Sequence, residues 1–226
     1  MPESEPIFIL LTTFNRTELA LITINSVLAN LRYENIKILI ADDGSDEGHL
    51  SQVREACGDY CVDAYNSQRR GVGHGMNWGL KRTRELGGQI LLVLEDDWEI
   101  LKPLSIDTHI RLLLNHEDIG MIRFGYLSAG LNGTVIAREN HLWLRLDANG
   151  NQYRYAGHPH LCHLRLHDEV GFFKEGLAAG ANELNFSGRY NALPAPPSIV
   201  WDMNYGHQGP FCHIGSESLA DIEPEK

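Results

Sequence analysis

No stretch of this chain approaches the roughly 20 consecutive apolar residues that a membrane span requires, so the sequence predicts no integral membrane segment. Basic charge is in short supply. Nineteen lysines and arginines stand against 30 aspartates and glutamates, a formal net charge of -11. That balance excludes general affinity for nucleic acid or anionic lipid. It does not exclude a phosphorylated small ligand, because a bound divalent cation reverses the local sign. Cysteine is scarce as well. Cys57, Cys61, Cys162 and Cys212 are too few and too scattered for a disulfide framework in 226 residues, and Cys57 and Cys61 lack the partners of a zinc site. Reduced thiols are expected. Together with an acidic, polar start from Met1 to Pro6, unlike a signal peptide, they point to a cytoplasmic setting. There is no internal repeat and no dinucleotide fingerprint, since no strand leads directly into Gly71, Gly73 and Gly75.

What is present is an ordinary globular composition, 43% hydrophobic and 22% charged, in a chain long enough for one well-cored domain spanning 1–226. The first half alternates apolar strands with helical periodicity, the pattern of a parallel sheet with right-handed crossovers. Strands are predicted at 7–12, 36–41, 60–64 and 89–94. Helices are predicted after Asn15, taken as an N-cap, and over 71–86. Farther on, 104–114 reads as helix and 120–124 as strand. Segments 141–146 and 152–155 alternate in period two around Asn149-Gly150, which predicts a hairpin. A short helix or turn is expected within 166–177 and another helix from Glu183 to Tyr190, followed by the proline-rich stretch 193–198.

Chemistry concentrates at two strand ends. Apolar residues 89–94 run straight into Glu95-Asp96-Asp97, and the strand ending at Ala41 runs into Asp42-Asp43-Gly44-Ser45. Crowded carboxylates are costly unless solvent, a base or a metal neutralises them. In open α/β sheets the carboxyl ends of strands are where ligands bind. Two such turns make a hard cation carrying a phosphate ligand the leading idea.

Read together with Thr12-Thr13-Phe14-Asn15-Arg16, with Asn66 to Gly73, and with Met76-Asn77-Trp78-Gly79-Leu80, these turns resemble the GT-A glycosyltransferases, particularly the family 2-like members. The resemblance is best over 7–100. It implies an α/β GT-A fold with a mostly parallel central sheet and a hairpin-containing C-terminal acceptor portion. It also implies a nucleotide-sugar-binding half (1–100) and an acceptor and catalytic half (101–226). The activity implied is metal-dependent transfer of a sugar from a nucleoside-diphosphate donor, UDP-sugar favoured, to a glycan or other hydroxyl acceptor. Thr12, Asn15, Arg16, Asp42, Asp43, Arg70, Asn77 and Asp96 would contact the donor. Asp97, Glu95 and a late histidine, His213 or His207, would hold Mn²⁺ or Mg²⁺. The segment Gly171 to Arg189 resembles the family's G-x-F-x-E and E-D elements. On that register Glu183 is the catalytic base of an inverting displacement, and Asn182 replaces the preceding Glu.

His158, His160, His163 and His167 are taken as crowding the acceptor side, Trp98, Trp143, Tyr153, Tyr155 and Trp201 as sugar-stacking candidates, and Pro194–Pro197 as part of a lid. Two alternatives stand beside this. A sugar-nucleotide nucleotidyltransferase shares the chemistry but would need a glycine-rich, arginine-containing first loop, which is missing. A non-catalytic carbohydrate- or nucleotide-binding module would keep the fold without turnover.

Overall fold

The computed structural model describes residues 4–124, 132–147, 154–205 and 209–215. Its first half alternates as expected: β1 (Ile7–Thr13), α1 (Thr17–Asn30), β2 (Leu31–Arg32), β3 (Ile36–Asp42), α2 (His49–Cys57), β4 (Cys61–Asn66), α3 (Val72–Glu85) and β5 (Ile90–Glu95). Then follow β6 (Trp98–Ile100), β7 (Leu104–Ser105), α4 (Asp107–Asn115), β8 (Ile119–Arg123), β9 (Gly133–Arg138), β10 (His141–Leu146) and β11 (His160–His163). The remaining elements are α5 (Arg165–Val170), α6 (Ala179–Ala192), β12 (Ser198–Asp202) and β13 (Phe211–His213).

Nine strands form one sheet in the order β4-β3-β1-β5-β11-β8-β12-β10-β9. It is parallel through β4, β3, β1 and β5. Beyond β5 it is mixed: β11 enters antiparallel between β5 and β8, and β12 runs parallel to β8. The continuous apolar runs of β1 and β5 follow from burial on both faces. Successive side chains point to opposite faces, so Ile7, Ile9 and Leu11 join the layer packed by α1, α2 and α4. Phe8 and Leu10 join the layer packed by α3, α5 and α6.

Several expectations are corrected. β10 is a strand, but its hairpin partner is β9, reached through Glu139 and Asn140 at φ 50° and 57°. Trp143, Leu144 and Arg145 on its other edge pair with β12. Tyr155 is buried outside any strand, and Asn149, Gly150 and Tyr153 lie outside the described residues. The helix predicted over 104–114 begins at Asp107, because Leu104 and Ser105 pair with β2. The proline stretch is no lid. Tyr190 Oη donates to Pro197 O at 2.9 Å, and Ser198 aligns with Ile119 at the start of β8, at the opposite end of the strands from the acidic turn after β5. Trp98, Trp143, Tyr155 and Trp201 are buried core residues. His160 and His163 sit at opposite ends of β11, and among the described residues no group of three metal-ligating side chains forms.

α3 lies unusually close to the sheet. A Cβ on Gly79 would stand 2.4 Å from Leu10 Cδ2, so only glycine lets the helix seat on β1. Gly79→Ala is expected to destabilise the fold by about 1–3 kcal/mol through overpacking. Leu10→Val should recover part of that loss in the double variant. Urea unfolding of the four proteins measures this, and additive losses would show that the two residues are not in contact.

Candidate active site

From β1 the chain steps outward to β3 and β4, then returns through α3 to β5 on the other side of β1. That reversal is a topological switch point, where the carboxyl ends of neighbouring strands part and leave a crevice. A cleft of about 200 Å³ occupies it, bounded by Thr12 and Thr13 of β1, Asp42 and Asp43 at the end of β3, Gly71 at the entry to α3, and Glu95 of β5.

The acidic turn after β5 is held by one arginine. Arg16 pairs through Nη2 with Asp96 and through Nη1 with Asp97 Oδ2 at 2.7 Å. Burial alone would lower the Arg16 pKa; the charges of Asp96 and Asp97 more than reverse it. Asp96 is fully buried and accepts from Thr13 Oγ1 at 2.7 Å and from the Phe14 N–H at 3.3 Å. Burial still raises its carboxyl above the usual range, against Arg16 and Thr13. His49 extends the chain of contacts: its Nε2 lies 2.9 Å from Thr13 Oγ1 and its Nδ1 2.7 Å from Thr17 Oγ1. Since Thr13 spends its one proton on Asp96, His49 Nε2 carries the hydrogen. No local sequence signal marks His49. Arg16 and Asp96, expected on the donor, are thus engaged with each other at the cleft wall.

On the opposite wall Asp42 and Asp43 divide. Both Asp42 oxygens accept from the Ser45 N–H at 3.2 Å, and Asn66 Nδ2 reaches Oδ2 at 2.8 Å, so Asp42 serves its own turn. Asp43, less buried, has Oδ1 held by Ser67 Oγ and by the Gly71 N–H at 2.8 Å. Asn15 does not cap α1, since Arg16 occupies the preceding position. With φ 49°, Asn15 receives the Asp46 N–H on Oδ1 at 2.7 Å and donates its own N–H to Ser45 Oγ at 2.8 Å. It therefore clamps the two loops together. Arg69, which with Arg70 precedes the glycine turn, stacks on Phe14, 3.8 Å from the ring centroid.

Arg70 stands at the rim, 2.8 Å from Glu175 Oε2. Asn77 lies outside the cleft. Its Nδ2 donates to Phe173 O at 2.9 Å and its Oδ1 accepts from the Phe173 N–H at 2.8 Å.

Glu183, on α6, lines a smaller pocket that shares Thr12, Val72, Glu95 and Ala179 with the cleft. The Gly157 N–H donates to its Oε1, and a Cβ on Gly157 would stand 2.8 Å from Glu183 Oε1 and 3.4 Å from Glu95 Oε1. The missing side chain of Gly157 is what lets the two carboxyls approach. Burial, with the charges of Asp97, Glu183 and Asp96, pushes the Glu95 carboxyl up to about 8. Burial also raises Glu183, opposed by the Gly157 N–H and by Arg123.

The donor set for a cation narrows in the same geometry. Asp97 Oδ1 is buried without a hydrogen-bond partner, and His213 Nε2 stands 3.3 Å from Asp97 Oδ2. β13 delivers that histidine by pairing with β6, which follows directly on the turn, and the Ile214 N–H donates to Asp97 O at 2.8 Å. Glu95 lies toward Glu183 instead. An aspartate and a histidine fit Mn²⁺ or Mg²⁺ that takes its other ligands from phosphate and water. His207 lies outside the described residues.

The profile described as Glycosyl transferase family 2 matches residues 8–164. The chain belongs to that family. No curated protein sequence matches it. Solved structures share its fold. S. aureus TarS 1-349 in complex with UDP-GlcNAc has a TM-score of 0.60 at 15% identity, covering 94% of this chain and 61% of that one. Mannosyltransferase PcManGT from Pyrobaculum calidifontis, in complex with GDP-Man and Mn²⁺, has a TM-score of 0.56 at 16% identity, with 91% and 60% covered. Glucosyl-3-phosphoglycerate synthase from Mycobacterium tuberculosis, in complex with Mn²⁺, UDP and glucosyl-3-phosphoglycerate, has a TM-score of 0.60 at 14% identity, with 97% and 75% covered. This chain therefore spans less than two thirds of the TarS and PcManGT chains. Among its described residues no helix is long and apolar enough to cross a membrane.

The raised Glu95 has a consequence for stability. Between the ordinary carboxyl range and about 8, the folded chain keeps a proton that the unfolded chain has released, so stability falls as pH rises through that window. In chelator-treated protein, Glu95→Gln is expected to melt roughly 2–4 °C above the parent near pH 9, equivalent to about 1 kcal/mol. The two should coincide near pH 4. Melting curves that run parallel across the range would contradict the assignment.

Proposed function

We propose that this chain is a glycosyltransferase that moves a sugar from a nucleoside-diphosphate donor, UDP-sugar favoured, to a hydroxyl acceptor with inversion. The observation that carries the proposal is the switch-point cleft, with a fixed carboxylate on one wall, an arginine-braced acidic turn on the other, and Glu183 in the smaller pocket that adjoins it. Residues 1–100 would bind the donor, and 101–226 would supply Glu183 and His213. The four unpaired cysteines support a cytoplasmic setting.

Each step follows from named groups. Asp43, held by Ser67 and Gly71, accepts from a base imide or ribose hydroxyl. Thr12, donating to Leu94 O at 3.5 Å, forms the cleft floor beneath the donor. Asp97 and His213 would hold a divalent cation, which when bound supplies Lewis-acid stabilisation of the leaving diphosphate. Glu183 is oriented by the Gly157 N–H and has a pKa raised by burial. It takes the acceptor hydroxyl's proton as the oxygen bonds to the anomeric carbon and the bond to the diphosphate breaks. Arg16 keeps Asp96 and Asp97 compensated before and after the ligand arrives.

Calorimetric titration of UDP, GDP, TDP and CDP, with and without Mn²⁺, tests the donor site. UDP binding that needs the metal and disappears in Asp97→Ala is expected. Glu183→Gln should keep that binding while lowering kcat by about 10²- to 10⁴-fold. Silence from all four nucleotides under both conditions would sink the transferase reading and favour a non-catalytic module.

A further inference from the structure

The Arg16 bridge has a second support, and it comes from the opposite wall of the cleft. His49 opens α2, shortly after the turn that carries Asp42 and Asp43, and is 3% exposed. Its ring lies between two hydroxyls, one at each end of the loop from β1 to α1: Thr13 Oγ1, 2.9 Å from Nε2, and Thr17 Oγ1, 2.7 Å from Nδ1. One buried side chain thus ties the turn after β3 to the residues that meet the acidic turn after β5.

Each bond in this series fixes the direction of the one before it. The Asp96 carboxylate only accepts, so the Thr13 hydroxyl donates to its Oδ2, 2.7 Å away. Thr13 Oγ1 then accepts from His49 Nε2, and in the neutral ring Nδ1 accepts from Thr17. Three donors in series end on one oxygen of a fully buried carboxylate, an alignment in which each bond strengthens the next. A hydroxyl proton turns about its C–O bond to suit its surroundings. With the imidazole hydrogen on its acceptor side, the Thr13 proton stays on Asp96. Asp96 in turn shares Arg16 with Asp97, the carboxylate that stands 3.3 Å from His213 Nε2.

We propose that His49 is a positioning residue for the cation site. Acting through Thr13 and Asp96, it keeps Arg16 divided between the two aspartates, so that the guanidinium does not close on Asp97 where a divalent cation would bind. His49 is not among the residues that bound the cleft, and it takes no part in the chemistry. The assignment rests on the cation and donor reading above and extends it to a residue outside the cleft.

The test reads Mn²⁺ binding and not turnover. Mn²⁺ is titrated into the protein with UDP and followed by EPR, with UDP in the absence of protein as the blank. Two substitutions separate the two ends of the ring: glutamine places its amide N–H near the Nε2 position, asparagine near Nδ1. His49→Asn should weaken Mn²⁺·UDP binding about 3- to 10-fold, the worth of one neutral hydrogen bond, and His49→Gln should hold it within about 2-fold of the parent. Thr13→Val cuts the same series, so adding His49→Asn to it should bring no further loss. Should His49→Asn not fold, His49→Leu takes its place in both comparisons. A residue that only anchors α2 would shift the melting temperature of its variants and leave the Mn²⁺ constant unmoved. An unchanged constant in His49→Asn, equal losses in the Asn and Gln variants, or losses that multiply in the double variant would overturn the proposal. If the parent itself binds no Mn²⁺·UDP, the cation and donor reading fails, and this assignment with it.

Discussion

Three consecutive acidic residues at the end of a buried strand must be compensated, and most of the site's architecture follows from how this is done. Arg16 sends one guanidinium to both Asp96 and Asp97, tying the end of β1 to the end of β5 across the switch point. A planar fork with several donors suits this task better than a lysine's point charge. Without Arg16, which is half-exposed, the buried Asp96 carboxylate would lose its counter-charge. The pairing therefore constrains folding as well as ligand binding. It leaves Asp97 with an unpartnered oxygen and a neighbouring histidine. The turn is thus held in place while one carboxylate keeps capacity for a cation.

Around that pairing the structure spends its asparagines on scaffolding. Asn15 joins two loops, Asn66 braces Asp42, and Asn77 grips both main-chain groups of Phe173. An amide side chain carries a donor and an acceptor together, so it can bracket a peptide group where a carboxylate cannot. Residues that look like ligand contacts in a linear motif therefore act one layer back, setting the positions of the few groups that face the cleft.

This also explains what was legible in the sequence. β1, β3 and β5 and their acidic ends were readable because buried parallel strands and strand-end chemistry are local patterns. So was α6 around Glu183, although it starts four residues earlier, at Ala179. The pairing of β10 with β9 was not, because Glu139-Asn140 is a weak turn signal by composition. The pairing is instead decided by β12 taking one edge of β10 while Glu139 and Asn140 turn the chain at the other. The Arg16 bridge, the His49 and Thr13 contacts and the approach of Gly157 to Glu183 join residues from about 25 to 80 positions apart. No local spacing announces them.

Two of the departures from the family pattern that the sequence resembles, Glu95 in place of the usual aspartate and Glu183 at the expected base position, have a common geometry. Each side chain is one methylene longer than aspartate, and the two converge on Gly157, where no side chain stands between them. The shorter Asp97 stays with Arg16 and His213. Lengthening Glu95 moves its carboxyl from the cation's surroundings to those of the proposed base, where burial and neighbouring charge favour its protonated form. Two like-charged groups this close do not ionise independently. A neutral Glu95 beside Glu183 lowers the repulsion an ionised base would meet, so the longer acid at position 95 favours the charge state that a general base at 183 requires.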